Sequence, residues 1–131
     1  MLLLAVLHFI ADTADPAAIV ATLASTLVPG SYLALSHLTA DFAPEQVAAA
    51  TQAYNNLAPV PVTARTHTQV TGLFGGLPLL PPGVVPVTEW RPPIGELPQP
   101  ADLHAGLARI PHRAGPGRLC PPPGQHRANP S

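Results

Sequence analysis

Proline decides where this chain can carry a packed fold. Nineteen of its 131 residues are proline, about three times ordinary usage. The pyrrolidine ring fixes φ and removes the N–H donor, so proline bounds helices and strands and is excluded from their interiors. Nine prolines fall in residues 1–90 and ten in residues 91–131. The charge balance turns over in the same region, because Asp102 is the last acid while Arg109, Arg113, Arg118 and Arg127 follow it. The sequence therefore divides into a partial domain, 1–103, and a Pro/Arg-rich tail, 104–131, expected to be disordered.

Within the first part the punctuation predicts elements. Met-Leu-Leu-Leu-Ala-Val-Leu-His is a continuous apolar run, the pattern of a buried parallel strand, over residues 2–8. Asp15-Pro16 is a helix start: the carboxylate caps free N–H groups, and proline at the first helical position gives up an N–H that has no partner there. Ile19, Val20, Leu23 and Leu27 form its expected apolar stripe. Pro29-Gly30 ends it, and residues 31–37 read as a second strand. Strand, helix and strand in about 36 residues make a βαβ unit. A second helix is expected over 44–57 with Val47, Ala50, Tyr54 and Leu57 inward. A third, over 67–74, is expected from the capping box Thr66-His67-Thr68-Gln69 and the Gly75-Gly76 stop. Residues 77–80 and 84–89 read as a hairpin around Pro-Pro-Gly. The order is β-α-β-α-α-β-β, an α/β sheet with an antiparallel edge hairpin.

Composition excludes several classes. One cysteine, Cys120, makes neither an internal disulfide nor a thiolate metal site. Net charge of −1 provides no field for nucleic acid or an anionic membrane. The opening apolar run ends at Ile10, too short to span a bilayer, and no positively charged n-region precedes it, since the first Arg or Lys is Arg65. A cytoplasmic location is expected.

Three segments carry a resemblance. Residues 6–12 followed by Asp15-Pro16 resemble the fourth strand and following loop of class I S-adenosylmethionine-dependent methyltransferases. Residues 27–37, with Pro29-Gly30, resemble the L-x-P-G-G-x-L turn and fifth strand. Residues 82–87 through Trp90-Arg91-Pro92 are similar to the C-terminal hairpin of an actinobacterial branch first catalogued as a domain of unknown function. The resemblance implies the C-terminal half of a Rossmann-like sheet. No strand here is followed by the G-x-G-x-G turn that lets a backbone approach a nucleotide. It also implies S-adenosylmethionine as the methyl donor and an unknown small molecule as the acceptor.

Ligands of open α/β sheets sit beyond the carboxyl ends of the strands. That rule, with the resemblance, makes Leu7, His8 and Phe9 the cofactor-side residues and His37 the substrate-side residue. His8 is the weak candidate for a catalytic group, since an imidazole titrates near neutrality. Each histidine has a plain alternative as a hydrogen-bonded strand end. No metal site is expected, because no two histidines stand four apart on a helix with a carboxylate at ligand spacing. Two readings follow: a methyltransferase by descent, truncated before its glycine-rich loop, or an inactive half-domain that docks on a separate N-terminal chain. Strand 2–8 would offer an open edge for self-association or docking.

Overall fold

The computed structural model describes residues 1–90, 94 and 103–112. Leu2–Leu4 form β1, Pro16–Ser25 α1, Tyr32–Leu38 β2, Pro44–Leu57 α2, His67–Gly72 α3, Val85–Pro86 β3 and Leu103–Arg109 β4. The order of element types is the expected one. The four strands form one open sheet in the order β1-β2-β4-β3. β1 runs parallel to β2, with Leu3 opposite Leu35. β4 is antiparallel to β2 along its whole length, from Tyr32 opposite Arg109 to Leu38 opposite Leu103.

β1 is shorter than the apolar run that announces it. Ala5 takes a left-handed φ of 51°, which ends the strand and turns the chain into a 3₁₀ turn at Leu7–Phe9. A non-glycine residue in that region costs about 1–2 kcal/mol. Two bonds hold it: Ala5 N–H donates to the Ser36 carbonyl at 3.3 Å and to Ser36 Oγ at 3.0 Å.

Asp15 caps α1 as expected, with Oδ1 accepting from Ala18 N–H at 3.1 Å. The buried stripe of α1 is Pro16, Val20 and Ala24, rotated from the expected one, so that Leu23 faces outward. α2 departs further. Val47 alone of its expected inward set is buried, and Leu57 is 90% exposed. What fixes α2 is Asn55, whose side-chain amide pairs both ways with the Val62 backbone, at 2.7 and 3.0 Å. The capping box of α3 is complete in both directions.

The expected tail and hairpin both need correction. Residues 104–109 are not tail but the body of β4, in the middle of the sheet. Residues 77–80 and 84–89 do not pair with each other. Both lie along the outer edge of β4, through Leu79 opposite Ala108 and Val85 opposite Ala105, with the Pro-Pro-Gly turn interrupting the ladder. The reason is space: Gly106 lets the Phe74 ring and Val84 press onto the strand, where a Cβ would come within 2.9 Å of Phe74 Cζ. The tail expectation for residues 113–131, with Cys120 and the last three arginines, lies outside the described residues, as do Arg91 and Pro92.

The core lies on one face of the sheet. Leu33 and Leu35 of β2 and Ala108 of β4 meet Val20 of α1, Val70 of α3, and Leu7, Leu73, Phe74 and Val84. On the other face Leu4, Ala34, Ser36, Ala105 and Leu107, with Val87 and Trp90, line an open hollow of about 330 Å³. The free edge of β1 carries Leu2 and Leu4, 71% and 53% exposed. Among the described residues, no helix is long and apolar enough to cross a membrane.

Candidate functional site

The carboxyl ends of β1 and β2 point to the same end of the sheet, because the two strands are parallel. The left-handed turn at Ala5 carries Leu7, His8 and Phe9 onto that rim. Leu7 is buried in the core, while His8 is half-buried and Phe9 is partly exposed. The His8 and Phe9 rings lie 4.4 Å apart. His37, near the end of β2, stands edge-on to His8 at 5.8 Å between ring centres. The structure thus brings together the four residues that the sequence singles out.

A fifth residue holds them, and sequence reading passed over it. Arg65 is buried, and its guanidinium reaches four partners. Nε and Nη2 donate to Asp12 Oδ1 at 3.1 and 2.7 Å. Nη1 donates to the Leu7 carbonyl at 3.1 Å, and Nη2 to the Ile10 carbonyl at 2.7 Å. Nη1 also meets His37 Nε2 at 2.6 Å. The backbone adds two ties, Arg65 N–H to the Leu38 carbonyl at 3.0 Å and Thr63 N–H to the His8 carbonyl at 2.7 Å. Residues 63–65 therefore lace the loop after β1 to the end of β2. The available signal was that Arg65 is the one basic residue other than histidine in residues 1–90. A lone cation in so apolar a stretch needs buried partners.

These contacts assign the protonation of His37. Its Nδ1 lies 2.8 Å from the Leu38 carbonyl, which can only accept, so Nδ1 carries the proton. Nε2 then accepts from Arg65. Burial lowers its pKa to about 4, the Leu38 carbonyl opposing and the Arg65 charge adding to the fall. His37 is thus a neutral, fully partnered imidazole that orients Arg65. Burial, and then the charge of Arg65, also lower the pKa of His8. Its Nδ1 is buried and has no partner among the described residues. A buried polar atom left unpaired costs about 1–3 kcal/mol.

The row of imidazoles continues on β4. His104 is the cross-strand partner of His37, and its ring meets that of His67 at 5.3 Å. Its Nε2 lies 2.9 Å from Asp41 Oδ2, and the same oxygen accepts from His67 N–H at 2.7 Å. Burial pushes the Asp41 carboxyl upward, but the hydrogen bonds from His104 and His67 outweigh it and hold the pKa below its ordinary value. His104 escaped sequence reading because it was counted with the tail. Among the described residues, no cluster of three or more His, Cys, Asp or Glu side chains could hold a metal ion.

Comparison with known proteins fixes the class. The family model of the S-adenosyl methyltransferases matches residues 1–111. The chain belongs to that family. It is similar to the crystal structure of a DUF574-family protein from Streptomyces avermitilis, with 35% sequence identity and a TM-score of 0.76, over 84% of this chain and 43% of that one. It also shares its fold with a Thermobifida fusca protein crystallised as a candidate methyltransferase, with 24% identity and a TM-score of 0.71, over 85% of this chain and 43% of that one. The chain therefore spans less than half the length of either neighbour. No functionally curated protein matches it.

The residues at the rim fit one end of the cofactor that the family uses. The unpartnered His8 Nδ1 suits an ammonium donor, and the partly exposed Phe9 ring suits a sulfonium, as aromatic faces attract cations. The sequence holds no glycine-rich turn after a strand to cradle the nucleoside.

Proposed function

We propose that this chain is the acceptor-side half of an S-adenosylmethionine-dependent methyltransferase that methylates a small molecule in the cytoplasm. The observation that carries the reading is the orphaned Nδ1 of His8, held neutral above Arg65 at the carboxyl end of a parallel strand. If the cofactor binds at this turn, Leu7 would anchor the turn in the core, His8 would offer an acceptor to its ammonium group, and Phe9 would offer a ring to its sulfonium. When bound, the cofactor supplies an activated methyl group. The chain's own part is alignment and the exclusion of water. His37 and Arg65 act by keeping the Leu7–Phe9 turn in place.

A second reading rests on the open edge of β1. An exposed row of leucines beside unpaired backbone groups is a template for another strand. A separate N-terminal half is the proposed occupant, and self-association through the same edge is the competing outcome. In that reading the chain alone is inactive and the docked pair is the enzyme.

Equilibrium dialysis of the 131-residue chain against labelled S-adenosylmethionine tests the first reading. Weak, saturable binding that His8→Ala abolishes is expected. Binding that is absent, or that is unchanged in His8→Ala, contradicts it.

A further inference from the structure

A second orphaned nitrogen lies one strand further along the row. The carboxylate of Asp41 can only accept, so Nε2 of His104 carries a ring proton, and in the neutral imidazole the lone pair is on Nδ1. His104 is buried, and this Nδ1 has no partner among the described residues. Asp41 is itself fixed from two sides, by the His67 N–H and through its own N–H to Thr39 Oγ1. The imidazole cannot turn over without giving up that carboxylate. The Phe42 ring lies edge-on to it, 5.5 Å away and tilted by 61°. Phe42 is 54% exposed and borders a hollow of about 270 Å³ with Pro44, Glu45 and Gln46. A half-exposed aromatic ring beside an acceptor with no partner among the described residues is what a donor-bearing aromatic molecule would displace and stack on.

We propose that His104, oriented by Asp41, is the binding subsite for the hydroxyl group of an aromatic methyl acceptor, with Phe42 as its movable cover. The proposal rests on reading this end of the sheet as the acceptor side. The acceptor's O–H donates to Nδ1. As the oxygen becomes a nucleophile, that O–H bond breaks, the electron pair stays on oxygen and the proton passes to Nδ1. The resulting imidazolium faces the Asp41 carboxylate.

The test uses the full chain labelled with ¹⁵N-histidine, observed through the ring nitrogens. Phenol is the probe and anisole, its methyl ether, the control with the same ring and no donor. Phenol is expected to shift the His104 Nδ1 resonance saturably toward the hydrogen-bonded value, while anisole leaves it unmoved. Asp41→Asn should abolish the shift, and Phe42→Ala should weaken phenol binding about fivefold through the lost ring contact. No phenol-dependent shift, an equal shift with anisole, or a shift unaffected by either substitution overturns the proposal. The phenol and anisole comparison needs no variant, so it stands even if Asp41→Asn unfolds. Binding of S-adenosylmethionine at residues 7–9 is read separately. A cofactor response without a phenol response removes the subsite and leaves the proposed function intact.

Discussion

The guanidinium of Arg65 lies 2.6 Å from Nε2 of His37, and both groups are buried. A cation and an imidazole can stand so close only if the imidazole is neutral and offers a lone pair, and the Leu38 carbonyl on Nδ1 ensures that it does. The pair ties the loop after β1 to the end of β2, beside the backbone bonds from Arg65 N–H to the Leu38 carbonyl and from Thr63 N–H to the His8 carbonyl.

Arg65→Met keeps the stem volume and deletes the donors. It leaves His37 Nε2 without its donor in the interior and takes a bond from each of the Leu7 and Ile10 carbonyls, so a loss of about 2–4 kcal/mol of stability is expected. Arg65→Lys should also lose stability, because one ammonium cannot reach partners spread over the guanidinium fork. Urea midpoints of the three proteins check this. A loss below about 0.5 kcal/mol for Arg65→Met would contradict the assigned contacts.

Acid should weaken the fold through His37. The folded pKa of His37 is about 4, against an ordinary 6.5. Between those values the unfolded imidazole binds a proton that the folded one refuses, so the unfolded state gains as pH falls. The contribution of His37 is fully present above 6.5, declines through that window, and levels off below about 4. Its full size is roughly 3 kcal/mol. His8, shifted the same way, adds to the decline. Denaturant midpoints at about pH 7.5, 6 and 4.5 should trace it. His37→Gln, which keeps an acceptor for Arg65 but cannot titrate, should flatten most of the slope.

Gly106→Ala tests the place where β4 is pressed closest. Its methyl group would stand 2.9 Å from Phe74 Cζ and 3.0 Å from Val84 Cγ2, in a packed core that cannot give way cheaply. A destabilisation of about 1–3 kcal/mol is expected. The same substitution at Gly72, where no atom lies within 4 Å of an added Cβ, should be neutral or slightly stabilising, since alanine is the better helix former. Thermal melts of the two variants side by side decide the matter.

The capping box of α3 offers a smaller effect. Thr66→Ala removes the acceptor for the Gln69 N–H and should cost about 1 kcal/mol. Thermal unfolding reads it, and an unchanged midpoint would mean that α3 is held by Val70 in the core alone.

Much of this was written in the chain. Asp15-Pro16 and Thr66-x-x-Gln69 were readable because a cap is a local event, decided within four residues. β2 was readable because Ser-Tyr-Leu-Ala-Leu-Ser-His is bounded by Pro29-Gly30. β4 was not, since Leu-His-Ala-Gly-Leu-Ala-Arg turns His104, Gly106 and Ala108 inward and its leucines to the other face, the reverse of the usual sign. Its place is set by Phe74 and Val84, which fill the room above Gly106. Leu57 and Tyr54 misled for the opposite reason: they have the spacing of a core stripe, yet α2 is anchored by a polar residue, Asn55, to the Val62 backbone. That Leu7, His8, Phe9 and His37 stand together at the strand ends was legible from the order of strands and helices. Arg65 and the Asp41–His104 pair were not, because their partners lie 53 and 63 residues away in sequence.

The central claim is that the Leu7–Phe9 turn is a surface for the methionine end of S-adenosylmethionine. A two-dimensional ¹H–¹⁵N spectrum of the 131-residue chain, recorded with and without excess cofactor, tests it most directly. The account predicts dispersed amide peaks, with saturable shifts confined to residues 7–9 and their neighbours on the laced segment 63–65. A dispersed spectrum that ignores the cofactor would contradict it, and would leave the likeness to methyltransferases as a matter of ancestry and fold.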